Sequence, residues 1–391
     1  MTGNRITANR GCSGIGIYAF FGSPLLQGNI ITGNTRSGCS ASSGGGGVFL
    51  FGPAAAEILD NVISNNTITD GDGGGISLNG AGNPVIRGNI ISGNSASGFG
   101  STSQGGGIVL VNRSDALIAQ NLIIGNRAEE GAGVFWIVPL GASGPTLVNN
   151  TIVNNDASQG EGSAVFADGL DANALLVNNV LAAPAGQTAL TCGSFNDPNP
   201  PIIEFNNVFS DGGAAYGGIC SDQTGLNGNI SADPLFVDAA GGNYSVAEGS
   251  PVIDAGNNLA PELPATDFLG NDRIVDGDGD GVADIDMGAI EFQPTVDPID
   301  PEERLRLLIE TVKALDIEQP LKLRLKVKLK VALWFLNGNN PRKETITVRL
   351  LESFIALVEA NRGIKIQPAD ADLLVAEAEA IIDAVLNPPA A

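Results

Sequence analysis

Aspartates at alternate positions are the residues in this sequence most suited to chemistry. They lie in DGDGDGVAD at 276–284, where Gly281 permits a sharp turn. Alternating carboxylates let a short loop wrap a hard cation, so the segment predicts calcium binding, with a solvated acidic turn as the alternative. An EF-hand is not expected, because Met287 replaces the bidentate glutamate of the twelfth position. The predicted ligands are Asp276, Asp278, Asp280, Asp284 and Asp286.

Outward-facing aromatic residues form a second candidate site. In GGGGVFLF at 44–51, a strand that points Val48 and Leu50 inward points its phenylalanines outward. Such a strip stacks on sugar rings, or packs beneath a loop, a helical domain or another chain. The predicted ligand-binding residues are Tyr18, Phe49, Phe51 and Phe135.

Catalytic residues are not identified by the sequence. The chain has no histidine, and its first lysine is Lys313. A lyase needs a Lys or Arg base and a glycosidase needs paired carboxylates, whereas the arginines here are scattered and no carboxylate pair stands out. The aspartates able to approach one another are Asp60, Asp70, Asp72 and Asp115. The sequence therefore favours a non-enzyme and leaves the enzyme class open.

The charge is distributed unevenly along the chain. Residues 1–300 hold 7 of the 20 Lys/Arg and 30 of the 43 Asp/Glu, which gives −23, and residues 301–391 are neutral. This acidic body argues against nucleic acid or an anionic membrane as its partner. No transmembrane segment and no signal peptide are found, and the chain opens inside a repeat, so we expect a missing N-terminal portion.

A repeat dominates residues 1–222. Asparagine pairs five residues apart return every 25 to 32 residues, and weaker copies begin at Asn179 and Asn207. The pairs are Asn4/Asn9, Asn29/Asn34, Asn61/Asn66, Asn89/Asn94, Asn121/Asn126 and Asn150/Asn155. Glycines running into short apolar strands separate them. This period predicts a right-handed parallel β-helix with one coil per repeat, an inward isoleucine ladder and asparagines at the bends.

The cysteines fit the same register. Cys192 and Cys220 each lie 13 residues after an asparagine of adjacent repeats, and Cys12 and Cys39 form a looser pair. We predict two disulfides and hence an oxidising compartment, with free buried thiols as the alternative.

Two further regions follow the coil. Residues 223–292 predict an irregular, β-rich cap closing the open end of the coil, and 293–301 a proline linker. Residues 302–391 predict a helical bundle, with helices at about 302–315, 343–361 and 369–386. LKLRLKVKLKV at 321–331 alternates like a strand, but its flanks favour a helix. The fold class is thus mainly β, a β-helix with a small all-α domain.

Three resemblances cover nearly the whole chain. The asparagine repeats and GGG-I strands resemble the parallel β-helix repeats of pectate-lyase-like folds. DPLFVD, GSPVIDAG and DMGAIEF resemble the C-terminal module of secreted bacterial β-helix proteins of the choice-of-anchor Q type. LLESFIALVEANRG and ADLLVAEAEAIIDAV resemble the FIMAH domain, except that the basic alternating run replaces a small, alanine-rich second helix.

The resemblances imply a secreted bacterial surface protein and transfer no catalytic residue. We predict a non-catalytic, adhesion-type protein that binds carbohydrate or extracellular matrix, with possible calcium. The alternatives are a polysaccharide lyase or glycoside hydrolase acting on an acidic polysaccharide, and a passive structural stalk. The basic run of 322–330 either meets acidic polymer or is a solvated face.

Overall fold

The computed structural model divides into two compact units, residues 1–294 and 295–391, which are treated separately. It describes residues 1–12, 15–36, 44–53, 55–69, 71–98, 103–139, 141–169, 173–195, 199–294, 301–338 and 341–386.

The first unit is a solenoid in which the described strands of the coils form four parallel sheets along its axis. Sheet I consists of Leu25–Gln27, Glu57–Leu59, Val85–Arg87, Leu117–Ala119, Thr146–Val148, Leu175–Val177 and Ile202–Glu204. Sheet II consists of Arg5–Thr7, Ile30–Thr32, Val62–Ser64, Ile90–Ser92, Leu122–Ile124, Thr151–Val153, Val180–Ala183 and Asn207–Ser210. Sheet III consists of Arg10–Gly11, Thr35–Arg36, Thr67–Ile68, Ser95–Ala96, Arg127–Glu130 and Asp156–Glu161. Sheet IV consists of Ile17–Phe20, Val48–Phe51, Ile76–Asn79, Ile108–Val111, Val134–Val138, Val165–Gly169, Leu190–Cys192 and Tyr216–Gly218.

The chain passes through the sheets in this order, except that the coils from Leu175 onward have no described strand in sheet III. Each strand pairs in parallel with the equivalent strand of the next coil. In sheet II, Ile31 pairs with Ile63, and Ile91 with Ile123. These side chains are fully buried and form the predicted isoleucine ladder. The predicted mainly β class, a parallel β-helix followed by a small helical domain, is confirmed.

The repeated asparagines form two buried columns between sheets I and II and between sheets II and III. In the first column, the Asn61 amide nitrogen donates to the Asn89 side-chain oxygen at 3.0 Å and to the Leu26 carbonyl at 2.8 Å. The Asn61 oxygen accepts the Asn29 backbone N–H at 2.9 Å. Each asparagine therefore satisfies backbone groups at a bend and links consecutive coils.

One assignment within the repeat is wrong. The first column passes from Asn179 to Asn206 rather than to Asn207, through a 2.9 Å side-chain bond, and continues to Asn229. Asn207 is the first residue of its sheet II strand, and its side chain bonds Ala232. Asn206 and Asn207 are adjacent residues of the same type, so the sequence gives two possible registers and only the strand pairing distinguishes them.

The cysteine pair predicted from the register is joined. Cys192 and Cys220 form a disulfide with their Cα atoms 5.2 Å apart, although the strand pairing sets Cys192 opposite Gly218. Cys12 is also disulfide-bonded, and its predicted partner Cys39 lies outside the described residues.

The cap contains two antiparallel hairpins and folds back along the side of the solenoid. Its strands are Phe236–Asp238 with Asn243–Val246, and Ile274–Val275 with Asp284–Ile285. Its apolar residues pack on the outward side chains Leu122, Val153 and Val180 of sheet II. The start of the region does close the coil as expected, since the Phe205 and Val208 N–H groups donate to the Asn227 and Ile230 carbonyls. The rest of the cap packs on sheet II, because that sheet has an apolar outer surface.

The described residues of the second unit form four helices around one apolar core: α1 Pro301–Ala314, α2 Gln319–Leu336, α3 Lys343–Glu359 and α4 Pro368–Leu386. The ambiguous segment 321–331 lies inside α2 and is helical. Leu321, Leu325 and Leu329 enter the core at the i, i+4 spacing of a helix face.

Candidate functional site

Aromatic rings stack across the first two described strands of sheet IV. Parallel pairing sets Tyr18 beside Phe49 and Phe20 beside Phe51. The ring centroids of Tyr18 and Phe49 are 5.2 Å apart with planes 16° apart, and those of Phe20 and Phe51 are 5.5 Å apart with planes 7° apart. Outward residues of neighbouring parallel strands lie directly above one another, which brings these rings together.

Solvent reaches several of these rings. Tyr18 is 47% exposed, Phe20 60% and Phe21 59%, and Phe51 is half-buried. Tyr18, Phe20, Phe21 and Phe51 are called the aromatic patch below. Phe20 was missed although it follows Tyr18 by two residues, so strict alternation would have found it.

Phe21 joins the aromatic patch through an unusual backbone conformation. Its φ of +51° turns the chain out of the strand, and its ring meets Phe20 edge-on with centroids 4.5 Å apart. The ring lies against Gly52, where an added Cβ would come within 2.9 Å of it. No periodicity predicts a left-handed phenylalanine.

The predicted ligand face is not continuous. Phe49 is 4% exposed and Phe135 is fully buried with Val109 and Phe166. Phe49 packs against the rings of Tyr18 and Phe51, with centroids 5.2 and 6.1 Å away, whereas the glycine turn before its strand covers Phe135. At Gly131 an added Cβ would come within 2.7 Å of the Phe135 side chain. Of the four predicted residues, Tyr18 and Phe51 reach the surface, and Phe49 and Phe135 pack beneath it.

The aspartates considered for catalysis are held by different parts of the chain. Asp72 accepts the Gln104 backbone N–H at 2.9 Å, and Asp115 accepts the Gly144 N–H at 2.8 Å. Burial raises the pKa of Asp72 to about 6, while its bond to Gln104 and the buried Arg36 oppose the rise. Asp60 lies near Gln27, and Asp70 is outside the described residues. The described aspartates thus lie at different bends: Asp60 between sheets I and II, Asp72 between sheets III and IV, and Asp115 between sheets IV and I.

Three carboxylates converge in the cap. Oxygens of Asp254, Asp276 and Asp278 all lie within 4.8 Å of one another. Two of the five predicted metal ligands therefore meet a residue that the sequence analysis missed. Asp254 belongs to the segment SPVIDAG, 22 positions before Asp276. No short-range sequence pattern relates this segment to the aspartate loop.

Asp254 organises the loop from below. Its Oδ2 accepts the Gly277 and Asp278 backbone N–H groups at 2.9 and 2.7 Å. Its Oδ1 is enclosed and has no hydrogen-bond partner among the described residues. Burial raises the pKa of Asp254, and the neighbouring Asp278 charge contributes. A hard divalent cation beside Oδ1 would give this oxygen a partner and remove the repulsion, so the donor set fits calcium.

The carboxylates of the other three predicted ligands accept hydrogen bonds instead of joining this group. Asp280 accepts the Val282 N–H, and Asp284 accepts the Asn258 side-chain amide, each at 2.8 Å. Asp286 is buried and accepts the backbone N–H groups of Asp254 and Phe292 at 2.8 and 2.5 Å. It positions Asp254 from behind.

A buried ionic network anchors this part of the cap. Arg273 donates to the Ala289 carbonyl at 3.1 Å and to the Gly288 carbonyl, and it lies 3.7 Å from Glu291. Burial raises the pKa of both Glu291 and Asp286. One arginine cannot offset all the carboxylates packed around it, so the network favours a protonated member.

A cleft of 430 Å³ opens beside the aspartate group. It is lined by Glu248, Gly249, Ser250, Pro251, Ile253, Gly277 and Asp278. The cleft gives solvent access to the carboxylates from one side.

The comparisons agree with the geometry of the coils. Residues 2–196 match a family model described as the right handed beta helix region. Residues 2–196 form a right-handed β-helix. Searches of curated proteins and of solved structures gave no significant match to this chain. Among the described helices of the β-helix protein, none is long and apolar enough to cross a membrane.

Proposed function

We propose that this β-helix protein is a non-catalytic, secreted surface or adhesion-type protein that binds carbohydrate through the aromatic patch. The exposed rings of Tyr18, Phe20 and Phe21 carry the proposal. A cluster of exposed rings on a rigid solenoid is costly in water unless a ligand covers it. Planar rings bind the apolar faces of sugars at small cost in side-chain entropy.

Other observations support the setting of this proposal. The Cys192–Cys220 disulfide favours an oxidising compartment outside the cytosol. The resemblances to choice-of-anchor Q and FIMAH modules point to a bacterial cell surface. Calcium in the Asp254 group suits an extracellular module, since such sites bind weakly and require millimolar cation. In this proposal, calcium stabilises the cap and the aromatic patch binds the sugar.

Binding to a glycan array tests the aromatic patch. The wild-type protein should bind a set of glycans on the array. The Phe20→Ala and Phe21→Ala variants should not bind this set, because each substitution removes an exposed ring. Phe195→Ala is the matched control, since Phe195 is 56% exposed elsewhere on the solenoid. Equal binding by all variants would show that the aromatic patch is not the glycan site. No binding by the wild-type protein would favour the passive stalk.

The enzyme alternative is tested separately by release of unsaturated uronate, followed by absorbance, and of reducing sugar. Neither product is expected from acidic polysaccharides. Product formation abolished by Arg36→Ala or Asp72→Asn, with folding retained, would replace the proposal by a lyase or glycosidase.

A further inference from the structure

Helix α2 has two apolar faces. One is buried in the core of the helical unit and contains Leu321, Leu325, Leu329 and Ala332. The other is exposed and is called the apolar stripe: Leu323 is 61% exposed, Val327 50%, Val331 37% and Trp334 70%. Leu323, Val327 and Val331 follow Leu321, Leu325 and Leu329 by two residues, which is about 200° around a helix, so the apolar stripe lies opposite the core.

Basic residues border the apolar stripe on both sides. Lys322, Lys326 and Lys330 recur every four residues along one edge, and Arg324 and Lys328 lie along the other. The α2 sequence contains no Asp or Glu. Within the described parts of the chain, these five cations form no ion pair. Lys322 donates to the Lys313 carbonyl and Lys328 to the Ser353 hydroxyl, so both keep their charge uncompensated.

This arrangement differs from an ordinary solvated helix face. A surface helix places polar side chains opposite its core, and single exposed apolar residues such as Leu373 on α4 need no explanation. On α2 the residues farthest from the core are apolar, and the lysines occupy the flanks. The period-two sequence produces this result, because alternation in a helix divides the apolar residues between two opposite faces.

We propose that the apolar stripe of α2 docks on the surface of an anionic lipid bilayer. Aliphatic side chains enter the boundary between headgroups and acyl chains, tryptophan is favoured at that depth, and flanking cations meet anionic headgroups. A soluble acidic polysaccharide would engage the cations but leave Leu323, Val327 and Val331 in water, since these side chains have no planar face for sugars. Lipid is therefore the partner that matches both chemistries.

The helical unit does not share the acidic charge of the solenoid. The 30 acidic and 7 basic residues of 1–300 give the charge of −23, and residues 301–391 are neutral overall. At physiological salt, charges within about 8–10 Å of a docked surface contribute most, and the five cations of α2 lie beside the apolar stripe itself.

Tryptophan fluorescence of the full chain tests the proposal without a label. The protein has two tryptophans, and Trp136 is fully buried in the solenoid while Trp334 is exposed. Vesicles of phosphatidylcholine with phosphatidylglycerol should shift the emission to the blue, and vesicles of phosphatidylcholine alone should not. Trp334→Phe should abolish the shift while the protein still sediments with anionic vesicles.

Two double variants separate the contributions. Leu323→Gln/Val327→Gln should weaken vesicle binding at least tenfold, because two inserted side chains become polar. Lys326→Gln/Lys330→Gln should weaken it about 25-fold, since each lost cation costs about fivefold. Leu373→Gln and Arg349→Gln are the matched controls on exposed positions of α4 and α3 and should bind like wild type.

Three results would overturn the proposal: equal binding to neutral and anionic vesicles, binding to a soluble acidic polysaccharide with none to vesicles, or a dimer of the full chain that Leu323→Gln/Val327→Gln dissociates. Circular dichroism checks that each variant retains its helices. The wild-type blue shift decides the matter even if a variant fails to fold.

Discussion

The side-chain amide of Asn94 donates a 3.0 Å hydrogen bond to the side-chain oxygen of Asn126, one coil further along the solenoid. The same nitrogen donates to the Ile63 carbonyl at 2.9 Å on the coil before. The Asn94 oxygen accepts the Asn66 backbone N–H at 3.0 Å. One buried side chain thus joins three coils, and any loss at this position leaves backbone groups unsatisfied.

Asn94→Ala should lower the free energy of unfolding by about 3 kcal/mol, because several buried donors and acceptors lose partners. Urea denaturation followed by circular dichroism measures this. Asn65→Gly is the control, since Asn65 is exposed and its φ of +53° suits glycine. Similar losses in both variants would contradict a special role for the buried column.

Removing the disulfide by Cys192→Ser/Cys220→Ser should lower the free energy of unfolding by about 3–4 kcal/mol. The bond closes a loop with a sequence separation of 28 residues, and its loss frees the unfolded chain. The reduced wild-type protein should lose at least as much stability as the variant, because reduction also breaks the disulfide of Cys12. Unchanged stability in both would argue against the bond in solution.

Calcium should raise the melting temperature of the β-helix unit, because a cation bound only to the folded Asp254 group stabilises it by mass action. At a concentration 100 times the dissociation constant, the gain is about 2.7 kcal/mol. Asp254→Asn should remove most of the increase, and Asp211→Asn, an exposed aspartate outside the loop, should keep it. Scanning fluorimetry with calcium and with chelator makes the comparison. An equal response of the two variants would exclude this site.

Asp72 should make the stability depend on pH between about 4 and 6. Its pKa is raised from 3.8 to about 6 in the folded protein, chiefly by burial. In this window the folded state binds more protons than the unfolded state, so the free energy of unfolding falls as pH rises. Asp72→Asn keeps an acceptor for the Gln104 N–H and should flatten the profile. A slope unchanged from that of the wild type would assign the dependence to other groups.

The architecture could be predicted from the sequence, because equivalent positions in successive coils of a solenoid have the same surroundings and so the same residue types. The spacing of Asn61 and Asn89, with an isoleucine two residues after each, recurs whenever the chain returns to the same place in the coil. The same logic failed at Asn206 and Asn207, where adjacent asparagines give two possible registers. Only the hydrogen bonds between strands distinguish them.

The candidate sites were harder to predict from the sequence, because they depend on contacts between segments that are distant in the chain. Alternation correctly sends Phe49 and Phe135 outward, but neighbouring rings cover Phe49 and a glycine turn covers Phe135. Asp254 approaches Asp276 only because the cap folds back on itself. The alternating apolar residues of 321–331 form two opposite faces only because the segment is a helix.

The sequence by itself determined the coil, its inward ladder, its bends and the helical tail, because each follows from local periodicity and from the chemistry of single residue types. The tertiary structure decided which outward rings reach solvent, which carboxylates meet and which side of α2 stays uncovered. Those properties depend on contacts between segments distant in the chain, and no local spacing encodes them.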